Sequence, residues 1–124
     1  MSQGAKNKRN GSAFETALVN YFRLKGFEAD RLRLSGSADE GDLVIRDSAG
    51  PLLVVEAKAG KNVRPRYWYD EEAVPEAANY EKHRDMRKGS MIPVLAMKAH
   101  NKSIGKSLIT ISLDDLNRLI GGPQ

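Results

Sequence analysis

GDLVIRDSAGPLLVVEAK, Gly41 to Lys58, holds two apolar runs around a turn-forming segment. Asp42 to Arg46 and Leu52 to Lys58 carry short runs of Leu, Val and Ile on either side of Asp47-Ser48-Ala49-Gly50-Pro51. That spacing predicts two antiparallel strands joined by a three-residue loop, with Gly50 in the left-handed position such loops favour. Pro51 then opens the second strand, where a missing N–H is tolerated. A loop centred on Ala49 sets residues equidistant from it across from one another, so Asp42 faces Glu56. Paired residues share a face of the sheet, and strand alternation adds Lys58 to that face while Ala57 points the other way.

Two carboxylates and one ammonium therefore converge. Adjacent carboxylates repel, and one lysine leaves the cluster negative, so a divalent cation is the natural means of keeping both ionised. An all-oxygen ligand set favours Mg2+, with Mn2+ able to substitute. Such a cation polarises a phosphate and activates a water, and Lys58 orients that water or stabilises charge on phosphorus, which is phosphodiester hydrolysis. For an arbitrary hairpin the ordinary reading is instead a solvated cross-strand charge cluster. Leu52-Leu53-Val54-Val55 argues against it here, because a continuously apolar strand is one covered on both faces.

Outward from this hairpin, Phe14, Leu18, Tyr21, Phe22 and Leu24 recur at helical spacing and Gly26 offers a stop, predicting a helix over Ser12 to Lys25. Residues 1–11, with Lys6, Lys8 and Arg9 and nothing to bury, read as a flexible basic arm. Ala29 to Leu34 predicts a first strand. Asp70 to Lys88 predicts a second helix, with Pro75 allowed only near its first turn. Met91 to Met97 and Leu108 to Ser112 predict two more strands, and Ser112-Leu113-Asp114-Asp115 opens a last helix ending at Gly121-Gly122. The order αβββαββα is an α/β fold with a central mixed five-stranded sheet flanked by helices, one domain over residues 12–124. A chain of 124 residues, 40% hydrophobic, suits a single core. Lys and Arg outnumber Asp and Glu by 20 to 16, a net +4 compatible with a polyanionic partner. The absence of cysteine excludes thiolate zinc sites and cysteine nucleophiles, and no apolar run suffices for a membrane span, which predicts a soluble, cytoplasmic protein.

Gly41-Asp42, thirteen intervening residues and then Glu56-Ala57-Lys58 resemble the motif of the PD-(D/E)XK nuclease superfamily. Arg9-Asn10-Gly11-Ser12-Ala13-Phe14-Glu15 at the preceding helix, and Leu34-Ser35-Gly36-Ser37 before the aspartate, extend the likeness to archaeal-type Holliday junction resolvases over about residues 8 to 60. The resemblance implies a restriction-endonuclease-like fold and a homodimeric, metal-dependent endonuclease that resolves four-way DNA junctions. It implies that Asp42, Glu56, the carbonyl of Ala57 and Glu15 bind the metal, and that Lys58 is the catalytic lysine. Ser35 and Ser37 would lie on a loop touching DNA near the scissile phosphate, and Arg9 would contact backbone. Gly41 departs from the pattern, standing where the family usually has proline.

Glu15 also fits a second role, since Ser12-Ala13-Phe14-Glu15 has the form of a capping box whose glutamate only satisfies the helix N-terminus. Lys61, Arg64 and Arg66, followed by Tyr67-Trp68-Tyr69, offer phosphate-binding charge beside aromatic surface, although a lone tryptophan in a small domain is as readily structural. His83 and His100 have no histidine at ligand spacing and are left out of the metal site. Two other functional readings stand beside the resolvase: a nuclease of the same fold acting on linear or single-stranded ends, and a DNA-binding module without chemistry.

Overall fold

The computed structural model describes residues 3–32, 39–47 and 52–122, of which 3–10 as backbone only. In chain order these form α1 (Gln3–Leu24), β1 (Glu28–Arg31), β2 (Leu43–Arg46), β3 (Leu52–Lys58), α2 (Pro65–Trp68), a π-helical turn (Tyr69–Ala73), α3 (Val74–His83), β4 (Met91–Met97), a 3-10 turn (Ile104–Lys106), β5 (Leu108–Thr110) and α4 (Leu113–Leu119). The strands lie side by side in chain order. All neighbours are antiparallel except β3 and β4, which run parallel. A parallel pair needs a crossover, and α2, the π turn and α3 supply it.

Both faces of the central strands are covered, as the apolar run in β3 requires. Phe14, Leu18 and Val19 of α1 pack on Leu43, Ile45, Val55, Ile92, Val94 and Ala96. On the opposite face Ala77 and Tyr80 of α3 meet Val44, Val54 and Met91, while Tyr69 and Ala73 of the π turn close over Leu95. Alternate residues of each strand thus belong to different layers. Even-numbered residues of β3, including Glu56 and Lys58, lie on the α3 side.

The helix read from Ser12 begins instead at Gln3, so most of the stretch read as an arm continues α1. It ends as expected at Gly26, whose φ of +96° only glycine adopts freely. The second helical region also begins earlier than Asp70, at Pro65, and Pro75 sits inside it. The π turn reconciles the two. The Val74 N–H reaches back to the carbonyl of Tyr69, widening the helix just before a proline that has no N–H of its own to offer. Ser112 caps α4 as predicted, its Oγ accepting the Asp115 N–H at 3.0 Å. The loop at 48–50 lies outside the described residues.

The end of α3 is fastened to the start of β4 by Glu81, a buried side chain that accepts the N–H groups of Met91 at 2.7 Å and Gly89 at 3.1 Å. Glu81→Ala would orphan two backbone donors. A loss of about 2 to 4 kcal/mol is expected, read from urea denaturation.

Candidate active site

The hairpin register is the one the loop predicts: Leu43 pairs with Val55, Val44 with Val54 and Ile45 with Leu53. Asp42, one residue before β2, continues it, its N–H donating to the Val55 carbonyl at 2.9 Å. Its carboxylate Oδ2 accepts the N–H of Ala57 at 2.7 Å. Because the N–H and C=O of a strand residue point the same way, the Ala57 carbonyl also faces Asp42, past the end of β2.

Glu56 is buried, and its Oε2 has no hydrogen-bond partner among the described residues. Burial, with the carboxyls of Glu76 and Asp42 beside it, pushes its pKa up to about 12. Glu15 comes from α1, on the opposite side of the sheet, but Asp42 lies beyond the strand end where α1 can reach it. Burial, then the Asp42 carboxyl, raises Glu15 to about 7, against the opposing pull of Arg31, 3.6 Å away. With the helix starting at Gln3, Ser12 is interior to α1, which removes the capping-box reading of Glu15.

Lys58 is bonded to Glu72 at 2.7 Å and lies over the ring of Trp68 at 5.5 Å. Burial would lower its pKa, but the hydrogen bond to Glu72 and the charges of Glu56, Glu72 and Asp42 outweigh it and hold the ammonium above its ordinary range. Trp68 takes the structural role, half-buried beside Tyr69, Ala73 and Leu95.

Two glutamates that the sequence reading assigned no role complete the cluster. Glu76 of α3 is buried, and burial raises its pKa to about 7. One carboxylate oxygen each of Asp39, Glu56 and Glu76 lie within 4.8 Å of one another. Glu72 and Glu76 stand one helical turn apart, a rise of about 6 Å, and meet Lys58 and Glu56, two strand residues or about 6.6 Å apart. The signal for Glu76 was its position on the apolar flank formed by Ala73, Ala77 and Tyr80.

The approach to Asp42 is fixed from both ends. Glu40 is buried against His83 at 2.6 Å and Arg84 at 2.7 Å. Burial would raise its pKa, but the hydrogen bonds from Arg84 and His83 prevail and hold it low. Gly41 follows with φ +97°, and a Cβ there would come within 2.9 Å of Val54 Cγ1 and 3.4 Å of the Val55 carbonyl. Proline, fixed near φ −65°, cannot adopt this conformation, which accounts for the departure from the family pattern.

Of the residues read as DNA contacts, Lys61 and Arg64 are exposed between β3 and α2 and Arg66 is exposed on α2; Arg64 stacks over Tyr67 at 4.2 Å and Arg66 pairs with Asp70 at 3.3 Å. A cleft of about 500 Å³ adjoins them, lined by Lys61, Lys98, His100, Lys102 and Lys106 and by no carboxylate among the described residues. Ser35 and Ser37 fall outside the described residues, as does the side chain of Arg9.

A mixed five-stranded sheet covered by helices, with Asp42 and Glu56-Ala57-Lys58 at the end of its central hairpin, is the arrangement of the PD-(D/E)XK class. A family model described as archaeal Holliday junction resolvase (Hjc) matches residues 6–119, and the chain belongs to that family. Among solved structures, Archaeoglobus fulgidus Hjc, a Holliday junction resolvase from an archaeal hyperthermophile, is similar with a TM-score of 0.55 and 16% identity, covering 82% of this chain and 71% of that one. No curated protein sequence matches. The likeness in structure shows the fold, including the mixed sheet and element order read from the sequence.

Two outcomes follow from the geometry. Gly41→Pro is expected to destabilise the protein by 3 kcal/mol or more, about the cost of a misplaced proline, in chemical denaturation. The raised carboxyls set a pH dependence: folded Glu15 and Glu76 keep protons that the unfolded chain has released. Stability without metal therefore falls as pH rises from about 4.5 to about 7. Thermal melts in chelator should show this fall, and divalent cation should reduce it by displacing the protons.

Proposed function

We propose that this protein is a divalent-metal-dependent endonuclease that acts as a homodimer on four-way DNA junctions and introduces paired symmetric nicks. The observation that carries the reading is Glu56: a buried carboxylate with an unsatisfied oxygen, beside Asp42 and two residues from a lysine, at the end of a strand covered on both faces. A buried anion without a donor is costly unless a cation accompanies it. The donor set of Asp42, Glu56 and the Ala57 carbonyl is entirely oxygen and fits Mg2+, with Mn2+ able to substitute. Glu15 joins this set from α1. When bound, the cation supplies Lewis-acid polarisation of the phosphate and lowers the pKa of an attacking water.

The remaining work falls to the chain itself. Lys58 holds its charge toward the carboxylate end of the strand, where its ammonium orients the water or stabilises charge developing on the phosphate. Glu72 keeps that ammonium in one rotamer. Asp42 fixes the Ala57 peptide by accepting its N–H, so the Ala57 carbonyl would be held in place to ligate a cation. Lys61, Arg64 and Arg66, with the lysines of the adjoining cleft, hold the DNA backbone, and family resemblance adds Arg9, Ser35 and Ser37.

A pair of copies follows from the proposed substrate, since two cuts need two sites and the described residues form one. It is also supported by the open edge of β5, where Leu108 and Ile109 are exposed, as are Leu113 of α4 and Ile120 just after it. No helix among the described residues is long and apolar enough to cross a membrane.

The test is cleavage of a four-way junction and its matching linear duplex, each with Mg2+ and with chelator. Symmetric nicks in the junction alone, dependent on Mg2+, are expected. Asp42→Asn, Glu56→Gln and Lys58→Met should each lower the rate by about 100-fold or more while junction binding persists. Cutting of both substrates would point to a general nuclease, and undiminished cleavage by the Asp42→Asn, Glu56→Gln double variant would refute the site.

A further inference from the structure

We infer that Asp39, Glu56 and Glu76 form a second divalent-cation site, distinct from that of Asp42 and the Ala57 carbonyl, with Glu56 shared between the two. The inference deepens the metal-dependent reading above and rests on it for the first site only.

Three carboxylate oxygens from three separate elements meet within 4.8 Å: the segment before β2, β3 and α3. Oxygens on opposite sides of a Mg2+ or Mn2+ ion lie about 4.2 Å apart, and about 4.8 Å across Ca2+, so the cluster is already near ligating dimensions. Acidic groups gather on many surfaces without a cation, but here only Asp39 is exposed and the other two members are buried. Glu56 is 6% exposed and Glu76 7%, and in both Oε2 is buried with no hydrogen-bond partner among the described residues. The cations nearby are otherwise engaged, Lys58 by Glu72 and Arg84 with His83 by Glu40.

The scaffold also looks built to hold the third ligand. Asn79, on the same helix as Glu76, donates to the Asp39 carbonyl at 2.9 Å, and Asp39 Oδ1 accepts the Gly41 N–H at 2.9 Å, which ties the Asp39 segment to that helix and to the start of β2. A simpler use of two buried glutamates would be a shared proton. Glutamine in place of Glu76 preserves that hydrogen bond but weakens cation ligation, so the two explanations separate experimentally.

The measurement is titration of the full chain without DNA by Mn2+, following free Mn2+ by electron paramagnetic resonance and heat by calorimetry at pH 8. Melting temperature in chelator confirms that each variant is folded. Two ions per chain are expected for the wild type, one for Glu76→Gln and one for Asp39→Asn. One is also expected for Asp42→Asn, the ion retained there being the one that Glu76→Gln loses. A single ion in the wild type, lost in Asp42→Asn and kept in Glu76→Gln, would overturn the second site and leave the metal-dependent nuclease standing. Two ions unaffected by Glu76→Gln would overturn it as well, and no binding at all would remove both.

Discussion

Carboxylates crowded at the end of a strand that is buried on both faces cannot all be ionised without positive charge, and the rest of this protein is arranged around that constraint. Burial raises the proton affinity of Glu15, Glu56 and Glu76, and the Asp42 carboxylate beside them adds to the rise. The chain offers few compensating cations: Arg31 reaches Glu15, and Lys58 sits beside Glu56 but is bonded to Glu72. Without metal the balance is met by protons. With metal it is met by the ion, so proton release and cation binding are two sides of one equilibrium.

The geometry that builds this cluster is a match between two periodicities. A helix advances about 6 Å over four residues and a strand about 6.6 Å over two, so a helix laid along β3 brings glutamates one turn apart to alternate strand residues. Glu72 on Lys58 and Glu76 on Glu56 are the result. The π turn belongs to the same arrangement. It lies at Tyr69–Ala73, so the widened turn precedes Pro75, includes Glu72 and leads directly into the helix that carries Glu76. Buried Ala73 and Ala77 keep that helix close to the sheet.

How much of this was legible in the sequence depended on whether a feature was local. The pairing of Asp42 with Glu56 followed from loop length alone, because a hairpin fixes register within a few residues. The two-sided burial of β3 followed from Leu52 to Val55. Element order was recoverable from apolar spacing, yet the start of α1 was not, since Gln3 to Gly11 has no apolar stripe to announce a helix. That error carried a consequence, because it alone made Ser12 look like a cap and Glu15 a capping residue. Glu72 and Glu76 were invisible for a different reason: their roles come from packing α3 on a strand distant in sequence. A charged residue on an otherwise small, apolar helix flank was the one trace they left.

A centre rich in carboxylates repels the phosphates that the proposed reaction would bring to it, and the distribution of the other charges answers this. Four acids, Glu40, Glu56, Glu76 and Glu81, are buried, whereas Lys61, Lys98, Lys102 and Lys106 line an open cleft directly beyond the ends of β3 and β4. A polyanion approaching that end meets exposed ammonium groups first and the carboxylates only at contact range, where the proposed cation would intervene. Within a Debye length of about 8 Å the exposed lysines dominate the approach, and the buried cluster governs only what happens at the bond. The net +4 of the chain thus understates its local asymmetry: the carboxylates of the site count against that total, although a bound cation would neutralise them.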